Sequence, residues 1–279
     1  MVKQEATGTV CYHKASPLTD TVPNILARIV AQKHQELKDA AASMELWEAA
    51  AERRLRHRRD FRAALLARTP AIIAEVKKAS PSKGLLSPHF DAVRIARQYE
   101  FGGAAAVSVL TDKTFFQGSL ADLEAARSAI SLPVLRKDFT IAMPQIVQAA
   151  AHGADAILLI AAILTENQIH DFREAAASLR LSALVEVHDR RELDMAIAAG
   201  ADIIGVNNRN LNTFEVTLET SLRLAEHIPA GVVRISESGI HTKADIATLR
   251  AAGYTAFLVG EHLMTSGNPE AALKALVGE

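Results

Sequence analysis

Short apolar segments alternate along this chain with longer stretches whose apolar residues recur at helical spacing. Eight of the short segments are rich in Val, Ile, Leu and Ala, which is typical of buried β-strands. Strands that alternate with helical patterns predict βαβ units and a parallel sheet. The predicted strands span residues 72–77, 105–110, 134–137, 156–160, 183–187, 203–206, 232–237 and 257–260.

Glycines mark an internal repeat. Gly103, Gly153, Gly200 and Gly253 each stand between a helical pattern and a strand, roughly fifty residues apart. A glycine is favoured there because the chain leaves a helix through the left-handed region, and this spacing corresponds to two βα units of an eightfold barrel. The fold class is therefore predicted as α/β, a (β/α)8 TIM barrel. Helix starts are indicated by Thr165 with Gln168, Asp189 with Glu192, Thr242 with Asp245, and Asn268 before Pro269.

The segment before the first strand is helical in pattern. We expect a single domain over 1–279, with 1–20 flexible, 22–68 an N-terminal helical extension covering the bottom or flank of the barrel, and 70–279 the barrel itself. A basic run at 52–62 lacks interleaved aromatic residues, so it predicts a solvated or ion-paired helix face rather than a nucleic-acid site.

Composition narrows the functional classes. Hydrophobic residues make up 49% of the 279 residues and charged residues 23%, which is ample for one large core. The formal charge is -1, so no global field favours nucleic acid or an anionic membrane. Cys11 is the single cysteine, the N-terminal residues lack the apolar segment of a signal peptide, and the longest apolar run, 156–164, is far too short to span a bilayer. These features predict a cytoplasmic protein without nucleic-acid or membrane partners.

The first predicted strand ends in Glu75 and Lys77. Side chains two residues apart share a face of a strand, so this carboxylate and ammonium point the same way. Buried ions are costly unless they are paired, which leaves two interpretations: a structural ion pair at the rim, or part of an active site.

Other predicted strands also end in polar residues, whereas the strand starts are apolar. In a parallel barrel the active site lies at the carboxyl ends of the strands, so these residues are candidates for one site. They are Arg136, Lys137 and Asp138 after the third strand, Glu186 after the fifth, Asn207 and Arg209 after the sixth, and Glu237 and Ser238 after the seventh.

The last two strand ends carry small residues. Ser238, Gly239 and Gly260 would let backbone N–H groups approach a ligand, and many barrels bind phosphate at these two positions. The ten histidines show no metal-binding spacing, so no metal is expected.

The chain resembles the indole-3-glycerol phosphate synthase family. The matching segments run in order from Ile25 to Met264 and read IIAEVKKASPSKG, VSVLTDKTFFQGS, LPVLRKDF, ADAILLIAAIL, ALVEVHD, IGVNNRNL, ISESGI and FLVGEHLM. The resemblance implies a carbon–carbon carboxy-lyase of tryptophan biosynthesis. Its substrate would be 1-(2-carboxyphenylamino)-1-deoxy-D-ribulose 5-phosphate, which closes an indole ring with loss of carbon dioxide and water.

The resemblance also implies residue roles. Lys137 would be the general acid and Glu186 the general base, because a lysine is charged at neutral pH and a carboxylate accepts the proton. Lys77 would be a second acid or phosphate anchor, and Glu75 would keep both lysines charged. Asn207 and Glu237 would bond substrate hydroxyls and Lys77.

The remaining predicted site residues would bind the substrate. Ser80 and Arg209 would contact its carboxylate or phosphate, and Ser238, Gly239, Leu258 and Gly260 would line the phosphate end. Phe139, Leu158 and Leu211, with Phe115 or Phe116, would wall the anthranilate ring. Glu261 stands where some members have serine, so its N–H should face phosphate while its carboxylate turns away.

No cofactor is expected, and the partner is a small-molecule phosphosugar-anthranilate substrate. A monomer is the working expectation, although the sequence is silent on oligomeric state. Two alternatives are a phosphosugar barrel of the phosphoribosylanthranilate isomerase type, and a silent phosphosugar-binding scaffold. The isomerase reading requires a cysteine base on strand one, where Glu75 and Lys77 stand instead. The composition of residues 78–87 predicts a lid.

Overall fold

A computed structural model describes residues 24–278. The predicted flexible segment 1–20, with Cys11, lies outside the described residues. Within them, no helix is long and apolar enough to cross a membrane.

Eight parallel strands form a closed barrel in which each strand pairs with its neighbours in sequence and the last pairs with the first. The predicted (β/α)8 barrel is confirmed, with strand ends within one residue of the prediction. Nearly every strand residue is buried, because the barrel core covers one face and helices cover the other. The strands are β1 Ala71–Val76, β2 Ala106–Leu110, β3 Val134–Lys137, β4 Ala156–Ile160, β5 Ser182–Val187, β6 Ile203–Asn207, β7 Val233–Glu237 and β8 Ala256–Val259.

The helices begin where the capping pattern predicts. Thr165, Asp189, Thr242 and Asn268 each accept a hydrogen bond from a backbone N–H of the first turn. The α-helices are α1 Asn24–Glu36, α2 Met44–Arg54, α3 Phe61–Leu66, α4 Ala92–Phe101, α5 Leu120–Ala129, α6 Met143–Ala151, α7 Glu166–Ser178, α8 Arg190–Ala198, α9 Glu219–Ala225, α10 Lys243–Ala251, α11 Glu261–Thr265 and α12 Pro269–Val277.

The N-terminal extension covers more of the barrel than the sequence predicts. Its helix α1 lies over the mouth at the carboxyl ends of the strands, where Leu26 and Ile29 line a cavity. Helix α2 packs along α6 on the flank, and α3 closes the bottom with the fully buried Phe61 and Leu65. The expectation of bottom or flank is thus incomplete, because the pattern of an amphipathic helix does not specify which surface its apolar face meets.

The basic run is not only a solvated or ion-paired helix face. Arg58 and Arg59 follow the end of a short 3-10 helix and donate to backbone carbonyls at the bottom of the barrel, including those of Ala154 and Leu132 at 2.8 and 2.6 Å. Arg62 does pair with a carboxylate, that of Asp202, at 3.3 Å. These arginines therefore fasten the extension to the loops that precede the strands.

Candidate active site

A cavity of about 400 Å³ opens at the carboxyl ends of the barrel strands. All sixteen residues predicted for the site line this cavity, although they come from seven different strand ends and their loops. The structure therefore brings the predicted residues together, while their individual roles stay predictions.

Glu75 and Lys77 form a close ion pair at the end of β1, with Lys77 Nζ 2.5 Å from Glu75 Oε1. Burial opposes the negative charge of Glu75, but the ammonium groups of Lys77 and Lys137 outweigh burial and lower its pKa. Gly260 on the neighbouring strand end leaves the space that this carboxylate fills, since a Cβ there would collide with it. Glu75 thus lies between two lysines, as predicted.

Lys137 and Glu186 face each other across the cavity. Lys137 Nζ is 3.2 Å from Glu186 Oε2, and Asn207 Nδ2 donates to Glu186 Oε1 at 3.0 Å. Burial disfavours both charges, yet the carboxylates of Glu186, Glu237 and Glu75 raise the pKa of Lys137, and Lys137 with His188 lowers the pKa of Glu186. Both groups are therefore charged at neutral pH.

Of the three buried glutamates in the cavity, Glu237 has the fewest hydrogen-bond and ion-pair partners among the described residues. Its Oε2 is 3.9 Å from Lys137, its side chain is 2% exposed, and Oε1 has no hydrogen-bond partner within the described residues. Burial and the neighbouring charge of Glu186 raise its pKa to about 8. The predicted contacts of Asn207 and Glu237 with Lys77 are not found: Asn207 bonds Glu186, and Glu237 approaches Lys137.

An apolar wall lies beside the charged groups. Phe139, Leu158 and Leu211, the residues predicted to wall the aromatic ring, line the cavity, and so does Leu258. Of the two alternatives after β2, Phe116 lines the cavity and lies 5.9 Å from Phe139 between ring centroids. Phe115 instead contacts Arg28 of α1 and is not among the lining residues.

The last two strand ends form the small-residue side of the cavity. Ser238 and Gly239 follow β7 with positive φ angles of 68° and 77°, and Gly260 follows β8. After β1, the neighbour of β8, Ser80 belongs to a short hairpin, Ala79–Ser80 with Gly84–Leu85, in the predicted lid segment. This arrangement leaves room for an anionic group between the hairpin and the ends of β7 and β8.

Glu261 pairs with two cations at the mouth. Its carboxylate lies 3.5 Å from Arg209 and 3.7 Å from Lys83, and its orientation relative to a bound phosphate stays a prediction. Because both cations also line the cavity, Glu261 pairs with groups that an anionic substrate would attract. The sequence could not indicate this contact, since Arg209 lies two strands away.

Helix α1 contributes residues that the sequence reasoning missed. Lys33 is 3% exposed and reaches the carboxylates of Asp112 and Asp138 at 2.8 and 2.9 Å. Those aspartates lie in the loops after β2 and β3, so Lys33 ties α1 to the strand end that carries Lys137. A single lysine in an amphipathic helix does not indicate which carboxylates its side chain will meet.

Two further residues of the site, His188 and Gly205, were not predicted although the sequence contains a feature that indicates each of them. His188 stands two residues after Glu186, the same spacing that drew attention to Glu75 and Lys77. Gly205 interrupts the apolar run of β6, which often marks a close approach of another group. A Cβ on Gly205 would collide with the carboxylate of Glu237.

No group of three or more His, Cys, Asp or Glu side chains within residues 24–278 is arranged to hold a metal ion. The charged groups of the cavity are instead paired with one another.

A family model described as indole-3-glycerol phosphate synthase matches residues 26–276. The chain belongs to the indole-3-glycerol phosphate synthase family. The match begins in α1 and ends in α12, so the family includes the extension as well as the barrel.

Curated relatives that carry the family name support the assignment. The indole-3-glycerol phosphate synthase of Koribacter versatilis (strain Ellin345) is 51% identical over 244 residues, covering 86% of this chain and 93% of the relative. That of Burkholderia vietnamiensis (strain G4 / LMG 22486) is 50% identical over 254 residues, covering 90% and 97%.

More distant solved structures share the fold alone. The N-acetylmannosamine-6-phosphate 2-epimerase of Clostridium perfringens aligns with a TM-score of 0.58 at 17% identity, covering 71% of this chain and 89% of the other. A mandelate oxidase variant aligns with a TM-score of 0.58, also at 17% identity, covering 75% and 72%. The barrel fold of the indole-3-glycerol phosphate synthase family thus also occurs in other proteins.

Proposed function

We propose that this member of the indole-3-glycerol phosphate synthase family converts 1-(2-carboxyphenylamino)-1-deoxy-D-ribulose 5-phosphate to indole-3-glycerol phosphate in tryptophan biosynthesis. The observation that carries the proposal is the contact of Lys137 with Glu186, an ammonium and a carboxylate 3.2 Å apart beside an apolar wall. A reaction that both gives and takes a proton at an aromatic substrate needs this combination.

The reaction balances without any added oxidant or reductant. The ring carbon that bears the carboxylate bonds to the ketone carbon of the sugar, whose oxygen takes a proton. The bond to the carboxylate then breaks and carbon dioxide leaves, with its electrons returning to the ring. The new hydroxyl leaves as water after taking a second proton, and a proton is lost from the adjacent carbon. One proton is consumed in total, because a carboxylate leaves as a neutral gas.

Lys137 is the proposed general acid for the ketone oxygen. The surrounding acidic groups, Glu186 above all, keep it protonated until the substrate arrives. As the alkoxide develops, the ammonium is positioned to donate. Proton transfer by a positioned side chain typically accelerates a step by about 10²–10⁴-fold.

Glu186 is the proposed general base for the proton lost as water leaves. Asn207 fixes its orientation through the 3.0 Å hydrogen bond. Glu237, whose buried Oε1 has no partner in the described residues, is available to a substrate hydroxyl. Lys77, held by Glu75, is the proposed second acid or phosphate anchor.

The two ends of the cavity suit the two ends of the substrate. Phe139, Leu158 and Leu211 would pack against the anthranilate ring. The backbone N–H groups at Ser238, Gly239, Gly260 and Glu261, with Ser80, would receive the phosphate. Arg209 would leave Glu261 and bind the substrate carboxylate or phosphate bidentately.

The assay is direct. Purified protein mixed with the carboxyphenylamino substrate should develop indole fluorescence without added cofactor, and EDTA should leave the rate unchanged. Glu186→Gln should remove turnover while substrate binding stays measurable. Binding without fluorescence in the parent protein would favour the silent scaffold, and turnover of phosphoribosylanthranilate instead would favour the isomerase.

We further propose that the protein acts as a monomer in the cytoplasm. The support is that residues 24–278 of one chain bring both lysines and all three buried glutamates of the proposed site to the cavity, and that the sequence has a single cysteine. Light scattering during size-exclusion chromatography tests the monomer, and a stable dimer would contradict it.

A further inference from the structure

His188 and Glu192 form a charged pair behind the proposed base. His188 follows β5 directly, and its side chain is 13% exposed. Its Nε2 lies 3.3 Å from Glu186 Oε1, on the same carboxylate that faces Lys137 through its other oxygen. His188 does not line the cavity, so it reaches the reaction only through Glu186.

Glu192 braces the imidazole from the other side. His188 Nδ1 is 2.9 Å from Glu192 Oε2, and the same oxygen accepts the backbone N–H of His188 at 2.8 Å. Glu192 is itself fixed in the first turn of α8, where its backbone N–H donates to the cap residue Asp189. Since ionised carboxylates only accept hydrogen bonds, Nδ1 carries a proton toward Glu192, whereas Nε2 approaches Glu186 as an ion pair rather than through a hydrogen bond.

Several charged groups surround His188. Burial disfavours the imidazolium, but Glu186 and Glu192 raise the pKa of His188 to about 10. Lys137 is the other cation on Glu186, while Glu237 and Glu75 are the nearby carboxylates. The short helix Ala161–Ile163, which packs against α8, carries no charge.

The two cations on Glu186 have different fates in the proposed reaction. Once Lys137 has given its proton to the ketone oxygen, it is neutral and no longer supports the charge of Glu186. His188 is not a proton donor to substrate and keeps its charge. It is then the remaining cation that holds Glu186 ionised for the later proton abstraction.

We propose that His188, braced by Glu192, is a positioning residue that orients Glu186 and keeps it ionised after Lys137 has lost its proton. This inference rests on the proposed roles of Lys137 and Glu186. His188 and Glu192 would then belong to the site although neither lines the cavity.

The test is the pH profile of kcat for His188→Gln, which keeps a polar group of similar reach but removes the charge. Loss of one neighbouring cation raises the pKa of a buried carboxylate by about one unit or more. We therefore expect the acid limb of kcat to move to higher pH by about one unit, with KM changed less than about twofold. Glu192→Gln should shift the limb in the same direction by less.

His152→Gln is the matched control. His152 also pairs with a glutamate, at 3.1 Å from Glu124, but on the outside of the barrel. Its kcat profile should coincide with that of the parent. If His188→Gln lowers the thermal midpoint but leaves the profile of kcat unchanged, His188 is only structural and the inference fails.

Glu186→Gln separates this inference from the proposed function. If Glu186→Gln is inactive and His188→Gln shifts the acid limb of kcat, His188 acts through Glu186 as proposed. If Glu186→Gln is inactive and the profile of His188→Gln is unshifted, the inference fails while the function stands. If Glu186→Gln keeps full turnover, the base assignment fails, and the inference falls with it.

Discussion

The two ends of the barrel each bury a carboxylate, but the two carboxylates differ in how many hydrogen-bond partners they have. At the bottom, Asp155 is fully buried and both of its oxygens are satisfied, by the backbone N–H groups of Arg59 and Val134 at 2.9 Å and by Arg127. At the mouth, Glu237 is equally buried but has one oxygen without a partner in the described residues and a cation only at 3.9 Å.

This difference distinguishes a buried carboxylate that contributes to stability from one that is available to a substrate. A buried polar atom without a partner costs about 1–3 kcal/mol. The carboxylate of Asp155 avoids that cost because both of its oxygens are satisfied, whereas Glu237 accepts it at Oε1. A carboxylate that faces the cavity thus leaves hydrogen-bonding capacity free for a polar substrate, while one that only holds loops together uses its own capacity fully.

The largest expected effect is at the mouth. Lys137→Met should lower kcat by about 10³-fold, because a general acid contributes about 10²–10⁴-fold. Product binding, measured by calorimetry, should stay detectable. Lys274→Met, which removes a partly exposed lysine 2.6 Å from Glu270, is the control and should leave kcat unchanged. A Lys137→Met variant that keeps more than a tenth of the turnover would refute the assignment.

The counterpart at the bottom should affect stability alone. Asp155→Asn leaves buried cationic and N–H groups poorly matched, so the free energy of unfolding should fall by about 3 kcal/mol. Urea denaturation measures this fall, and kcat of the folded variant should stay within about twofold of the parent. Asp202→Asn, at an exposed ion pair with Arg62, should cost less than about 1 kcal/mol. A large loss of kcat without loss of stability would show that the two ends are not separate.

Gly205→Ala displaces the mouth carboxylate without changing any charge. The new methyl group would collide with Glu237, and a displacement of about 1 Å at a reacting geometry can cost about 10²-fold in rate. We expect a fall in kcat of about 10-fold to 100-fold. Gly231→Ala, where a Cβ meets nothing within 4 Å but φ is +86°, should lower only the thermal midpoint. Equal kinetic effects at both glycines would contradict the proposed contact.

The last expected effect is a pH dependence of stability. Glu237 has its pKa raised from 4.5 to about 8 in the folded protein, so its neutral form is favoured there. Its contribution is complete below about pH 4.5 and is lost as pH rises through about 8. Glu237→Gln removes this loss, so its stability relative to the parent should grow over that window in denaturation curves. Asp155→Asn should not show this gain, and parallel curves for parent and Glu237→Gln would refute the raised pKa.

The secondary structure was predictable because its causes lie close together in the chain. Apolar runs fix strands to within one residue, and Thr165, Thr242 and Asn268 cap helices through atoms only three residues away. The i, i+2 spacing also placed Glu75 and Lys77 on one face. The glycine repeat indicated the number of βα units and therefore the closed barrel.

The pairing of charges across the mouth was not predictable in the same way. Glu237 meets Lys137 rather than Lys77, Glu261 meets Arg209, and α1 covers the mouth through Lys33. Each of these contacts joins residues far apart in sequence.

The sequence by itself thus determined the strands, the helix caps, the set of residues at the strand ends and the family to which they belong. Only the tertiary structure decided which of those residues touch, and that His188 and Gly205 lie against the carboxylates of Glu186 and Glu237. The reason is physical: strand and cap formation depend on interactions over a few residues, whereas distances across the mouth depend on how the closed barrel staggers its strands.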